Sequence, residues 1–208
     1  MQQVIDKLEQ QGVVFVPVSM PGLAEINGRV GFPVALYEAY DDMQSYLKRY
    51  QPQTTVEAMA AQIGSADVKG TYAALVIPRL LPGPGNALVP ARPIYQAAMA
   101  QARPQLQALY ASTFADNHID ALLFPTTPHV APPAGPESSS LANFGLYIQN
   151  TDPGSDAGIP GLSIPAGIGA SGLPVGVEID GPSESDRRLI AVGEAIEMAL
   201  GPLPAPRN

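Results

Sequence analysis

Ala157-Gly158-Ile159-Pro160-Gly161-Leu162-Ser163-Ile164-Pro165-Ala166-Gly167, followed by Gly172-Leu173-Pro174-Val175-Gly176-Val177-Glu178-Ile179-Asp180, is the stretch on which the fold turns. Leu162 to Ile164 is a short apolar run with a proline on each side. It predicts a buried strand with sharply cut ends, because a prolyl nitrogen cannot donate to a ladder. Gly167 to Gly172 carries turn chemistry, and beyond it Val175, Val177 and Ile179 alternate with Gly176, Glu178 and Asp180. That pattern predicts a hairpin with one buried face. Glu178 and Asp180 share the other face and imitate a catalytic carboxylate pair, but an apolar face opposite polar residues reads as a sheet with one solvated side. Ser183 is placed to cap a last helix with Leu189, Val192, Ile196 and Leu200 as its inner stripe, closed by Gly201 and Pro202. Helix on sheet gives an α/β class.

Towards the N-terminus, Ile119 to Phe124 reads as a fully buried strand that Pro125 stops. From Pro125 to Gly158 there is little periodicity, and connections of that length are functional or disordered. Pro93 to His118 is helical in pattern, yet Pro104 would cost about 3 kcal/mol inside an unbroken helix, so a kink or break is expected there. Over residues 34–49, Leu36, Tyr37, Tyr40, Met43 and Leu47 form one helical stripe, with Asp41 and Asp42 on the other side. Thr54 and Glu57 fit a capping box for a short helix through Ile63, ended by Gly64. Val4, Ile5 and Leu8 recur at helical spacing, Gly12 stands where a left-handed cap belongs, and Val13-Val14-Phe15-Val16 predicts a buried strand. A chain that opens directly on a helix–strand unit gives its sheet no preceding strand, which points to a segment missing upstream.

Composition narrows the function classes. The 208 residues carry 11 Lys and Arg against 19 Asp and Glu, a formal charge of −8 that disfavours nucleic acid and anionic membrane surfaces. The absence of Cys removes thiolate nucleophiles and Cys-ligated metals, and 2 His leave little for a metal site, so neither cofactor nor metal is expected. No run approaches the roughly 18–20 apolar residues that cross a bilayer, and no signal-peptide core is present, which makes the cytoplasm the default location. Gly 20 and Pro 23 make the chain turn-rich, with hydrophobic residues at 46% supplying ample core.

The strand Asp120-Ala121-Leu122-Leu123-Phe124 with its Pro125-Thr126-Thr127-Pro128 exit, then residues 157–167, then 172–178 and a terminal helix, resemble in order the C-terminal part of the amidase signature family. Arg103 before the strand agrees, and Asn150-Thr151-Asp152-Pro153-Gly154-Ser155 is similar to the branch that includes indoleacetamide and mandelamide hydrolases. The resemblance implies a mixed β-sheet covered by helices, the C-terminal half of that fold with a helical insert. Residues 1–208 would form a single incomplete domain: 1–20 and 119–208 the sheet core with its terminal helix, 21–118 a mostly helical variable region.

Members of this family hydrolyse amides with a Ser nucleophile, activated through a second Ser by a Lys base, while loop N–H groups hold the oxyanion. Such chemistry needs a positioned base and preorganised donors. Here Ser138-Ser139-Ser140 is flanked by Glu137 and Leu141 instead of glycines, and Lys7, Lys48 and Lys69 stand outside the family's Lys context. No catalytic residue is therefore assigned, and the isolated chain is expected to be inactive. Ser45 and Lys48 match Ser-x-x-Lys without the accompanying motifs.

Stiff loops at proline-ended strands make pocket walls, so Thr126, Thr127, Pro128 and His129 are candidates for contact with a small-molecule amide, possessing no nucleophile–base spacing of their own. Tyr37 and Tyr40 either line the aryl end of that pocket or pack in the core. His118, at a helix end, reads as a favourable charge for the helix dipole. Asp156, a further candidate for the substrate pocket, departs from the Asn common in the family and is expected to be hydrogen-bonded by loop N–H groups or exposed. The implied partner is the missing N-terminal half of an amidase, or a second copy. The alternative is a non-catalytic binding or subunit-interaction module descended from an amidase.

Overall fold

A computed structural model describes residues 1–204. Helix α1 (Gln2–Gln10) ends at Gly12 with φ +91, the left-handed turn expected there. Residues 13–20 that follow form no strand, against the expectation for Val13–Val16. The residues have strand chemistry, but among the described residues no neighbouring strand offers them a ladder. Helix α2 (Leu23–Gly28) leads into α3 (Gly31–Tyr50), the tyrosine-bearing helix of the sequence reading. Helix α4 (Val56–Ala61) is capped by Thr55, whose Oγ1 accepts from Ala58 N at 3.1 Å, so the cap lies one residue later than Thr54. After α5 (Ala66–Thr71) a π-helical turn, Tyr72–Val76, leads to a small antiparallel pair, β1 (Leu80–Pro82) and β2 (Leu88–Pro90).

Helix α6 (Ala91–Ala97) runs into a π-helical turn at Ala98–Ala102, and α7 (Arg103–Asn117) begins with Pro104 in its first turn. The expected break is thus a widened turn, after which the missing prolyl N–H falls where a new helical stretch needs no partner. His118 ends α7 at φ +52. Strand β3 (Leu122–Pro125) starts later than the expected Ile119. The aperiodic region beyond it holds two helices, α8 (Leu141–Ile148), capped by Ser140, and α9 (Asp152–Ala157). Both are too short for periodicity to reveal.

Strands β4 (Gly161–Ile168) and β5 (Pro174–Asp180) form the expected hairpin, and β3 pairs antiparallel with the far edge of β5, giving the order β3-β5-β4. Helix α10 (Asp186–Leu200) follows; its N-cap position is Ser185, two residues beyond the predicted Ser183. One face of the sheet buries Ile164, Val177 and Ile179 against Val4 and Leu8 of α1 and Leu189 and Ile196 of α10. On the other face Leu122 packs with Leu106, Tyr110 and Phe114 of α7 and Ala157 of α9. The sheet is therefore covered on both sides, which is what brings its polar face under cover.

Candidate functional site

Strand alternation at the end of β3 splits the Pro-Thr-Thr-Pro-His candidates between the two sides of the sheet. Thr127, Pro128 and His129 line a cleft of about 650 Å³ with Tyr147 and the Pro174–Val177 end of β5, closed at one side by the first residues of α1. Thr127 Oγ1 donates to His129 O at 2.8 Å and Tyr147 OH donates to Val130 O at 2.9 Å. These bonds brace the loop after β3 as one wall.

Thr126 turns the other way. Its Oγ1 meets Ser163 Oγ at 2.7 Å across β5, in space left by Gly176, where a Cβ would fall 3.0 and 3.1 Å from the two hydroxyls. Glu178 lies beside this pair; burial raises its carboxyl above the ordinary range while the hydroxyls of Thr126 and Ser163 pull it back down. One residue pair further on, Asp180 is nested between two glycines: a Cβ on Gly154 or Gly161 would lie 2.5 or 2.8 Å from its oxygens. Burial, then the charge of Glu178, pushes the Asp180 carboxyl up to about 7.

Glu178 and Asp180 are thus buried, at 9% and 3% exposure, against the expectation of a solvated face. Strand β5 alternates as its sequence predicts, but α7 and α9 cover its polar face. Glu178 Oε2 and Asp180 Oδ2 have no hydrogen-bond partner. Glycines at 154 and 161 were the available signal, since small residues opposite a polar side chain make room for it rather than for solvent.

Asp156 is part-buried on α9 beside Asp152 and the start of α3: a Cβ on Gly31 would meet Asp156 Oδ2 at 2.6 Å and Asp152 Oδ2 at 3.0 Å. Asp156 Oδ2 is buried without a partner, contrary to the expected loop N–H bonds, because the neighbouring donor, Asn27 Nδ2, is committed to Asp152 at 2.6 Å. Burial and then Asp152 push the Asp156 carboxyl up to about 6, opposed by Arg103, whose Nε donates to Asp156 O at 3.0 Å.

Tyr37 and Tyr40 stand apart from the cleft. Tyr37 stacks on Tyr95 with ring centroids 4.2 Å apart, Tyr40 OH donates to Glu57 at 2.7 Å, and the Arg79 guanidinium lies over both rings while pairing with Asp41. They form a cluster that ties α3 to α4 and α6. Lys7 lines the cleft from α1 with its Nζ donating to Leu200 O, and Lys69 Nζ donates to Ala61 O. Among the described residues no group of three or more His, Asp or Glu is arranged to hold a metal ion.

The Amidase family pattern matches residues 1–190. The chain belongs to the amidase family. It is 40% identical over 200 residues to the indoleacetamide hydrolase of Rhizobium radiobacter, covering 93% of this chain and 41% of that protein. To the mandelamide hydrolase of Pseudomonas putida it is 37% identical over 206 residues, 99% of this chain and 41% of the relative. The peptide amidase from Stenotrophomonas maltophilia shares the fold, with a TM-score of 0.66 at 23% identity over 96% of this chain and 39% of that one. This amidase chain therefore spans about two-fifths of the length of the relatives it matches. No helix among the described residues is long and apolar enough to cross a membrane.

Proposed function

We propose that this chain supplies the C-terminal, substrate-facing part of an amide hydrolase whose Ser–Ser–Lys machinery lies on other polypeptide. The observation that carries the reading is the coverage: nearly all of this chain aligns with indoleacetamide and mandelamide hydrolases, yet only 41% of either is accounted for. The substrate class is a linear carboxamide of the aryl-acetamide type. In this reading Thr127, Pro128 and His129 form one wall of the acyl pocket. The braced loop holds them without the entropy cost of ordering on substrate arrival. Thr126, on the other side of the sheet and bonded to Ser163, steadies the strand from which the wall leaves, and Asp156 belongs to the helix that covers that side. Tyr37 and Tyr40 would affect substrate only through the position of α3.

The test is complementation. The purified chain alone should not hydrolyse indoleacetamide or mandelamide, and turnover should appear when the preceding part of the Rhizobium radiobacter enzyme is supplied in cis or in trans. Robust hydrolysis by the isolated chain, abolished by changing one of its own Ser or Lys residues, would overturn the proposal.

A further inference from the structure

We propose that the cleft between α1 and the loop after β3 is a carboxylate site that holds an arylacetate anion more tightly than the corresponding amide, with Lys7 as the residue that tells them apart. The inference rests on the reading given under Proposed function and adds a charge preference to that pocket. Hydrolysis of an aryl-acetamide breaks its C–N bond, places the oxygen of water on the carbonyl carbon and releases ammonium. The acid left behind is this anion.

The charge around the cleft runs against that of the chain. Among the described residues that line it, Lys7 and His129 are the basic side chains and none is Asp or Glu, although the sequence holds 19 acids and a net charge of −8. The acidic neighbours of Lys7 on α1, Asp6 and Glu9, stand outside the lining, and Asp6 is engaged by Gln2 Nε2 at 2.8 Å. Lys7 Nζ has one partner among the described residues, Leu200 O at 3.4 Å, the outer limit of a hydrogen bond. An ammonium with three donors therefore keeps most of its capacity for a ligand.

The loop opposite offers donors that the fold leaves unused. His129 O accepts from Thr127 Oγ1 at 2.8 Å and Val130 O from Tyr147 OH at 2.9 Å, so these carbonyls are already engaged. The N–H groups of His129, Val130 and Ala131 make no hydrogen bond among the described residues, and neither does the His129 ring. Engaged acceptors and free donors favour an anion over a neutral amide. The amide NH2 requires an acceptor, and a carboxylate requires none.

The remaining walls fit an apolar body. Val4, Pro128, Val130, Ile168 and Val175 stand around a space of about 650 Å³, within the roughly 300–1,000 Å³ of small-molecule sites. A bare inorganic anion loses hydration against such walls and gains nothing from them, whereas a ring attached to the carboxylate buries its own apolar surface.

Calorimetric titration of the chain with indoleacetate, indoleacetamide, acetate and inorganic phosphate tests the site. Indoleacetate should bind about tenfold or more tighter than indoleacetamide, and tighter than acetate or phosphate by at least as much. Lys7→Gln should erase the preference for the acid and leave indoleacetamide binding within about twofold, while Lys7→Arg retains the preference. Lys7 is exposed, so both variants should keep the melting temperature of the parent chain. The ¹⁵N NMR signals of His129, Val130 and Ala131 should move on addition of indoleacetate. Equal affinity for acid and amide, a preference that survives Lys7→Gln, phosphate binding as tight as that of indoleacetate, or loop signals that stay in place would each overturn the site. Complementation separates this outcome from that of the amidase reading. Hydrolysis by a complex that indoleacetate does not inhibit removes the carboxylate site and keeps the amidase. Acid-selective binding by a chain that never supports hydrolysis keeps the site and removes the amidase.

Discussion

Gly154 in α9 lies against the buried carboxyl of Asp180 on β5, so closely that a Cβ there would sit 2.5 Å from Oδ2. Helix α9 approaches the sheet only because this position has no side chain. Gly154→Ala should therefore destabilise the chain by about 1–3 kcal/mol, although Gly to Ala within an ordinary helix would stabilise by about 1 kcal/mol. Urea denaturation reads the sign. In a double-mutant cycle with Asp180→Ala the penalty should shrink, because the second change removes the atoms the methyl group meets. A stabilising Gly154→Ala would mean that α9 does not pack as described.

The raised carboxyls fix a direction for pH dependence. Asp180 at about 7 and Asp156 at about 6 hold their protons more tightly folded than unfolded, where aspartate titrates at about 3.9. Between those limits the native state binds the extra protons, so unfolding free energy falls as pH rises. The stability is fully present below about pH 4 and is lost as pH passes through the folded values. The melting temperature of the chain should be higher at about pH 5 than at about pH 8. Asp180→Asn keeps the shape without the charge, and should flatten most of that slope and stabilise the chain at about pH 8 by roughly 1–3 kcal/mol. A slope unchanged in the variant would place its origin elsewhere, in the general repulsion of an acidic chain.

The two halves of the site differ in how far the sequence disclosed them. Proline at 125 and 160 and the alternation over 175–180 expose strand ends and hairpin, because steric rules act over a few residues, whereas Pro165 does not end the strand as expected but lies inside β4, beside a register shift that absorbs its missing N–H. What covers a strand's second face is a tertiary fact. Glu178 and Asp180 look like a solvated edge until α7 and α9 arrive, and the glycines that admit them are far away in the chain or read as turn punctuation. Val13–Val16 errs in the opposite sense: its propensity is that of a buried strand, but a strand needs a neighbour, and propensity does not supply one.

Local capping gives a sharp comparison. Thr55 Oγ1 accepts from Ala58 N, while the neighbouring Thr54 matches the capping-box spacing without making that bond. Thr55→Ala should cost about 1 kcal/mol in thermal or denaturant unfolding, and Thr54→Ala a few tenths at most. Equal losses would mean that the two hydroxyls share the cap.

The Thr126–Ser163 pair offers a test at the site itself. Their hydroxyls meet across β5 beside Glu178 and lower its carboxyl pKa against the effect of burial. Ser163→Ala removes one of the two groups that favour the charged form while leaving burial nearly intact, because Ser163 is itself exposed. The titration midpoint of Glu178, followed by carboxyl ¹³C NMR on the labelled chain, should move upward, and Thr126→Val should move it the same way. With both hydroxyls gone the carboxyl faces burial alone, and its midpoint should be the highest of the series. A midpoint indifferent to both substitutions would show that the pair is bonded only to itself and has no hold on the acid behind it.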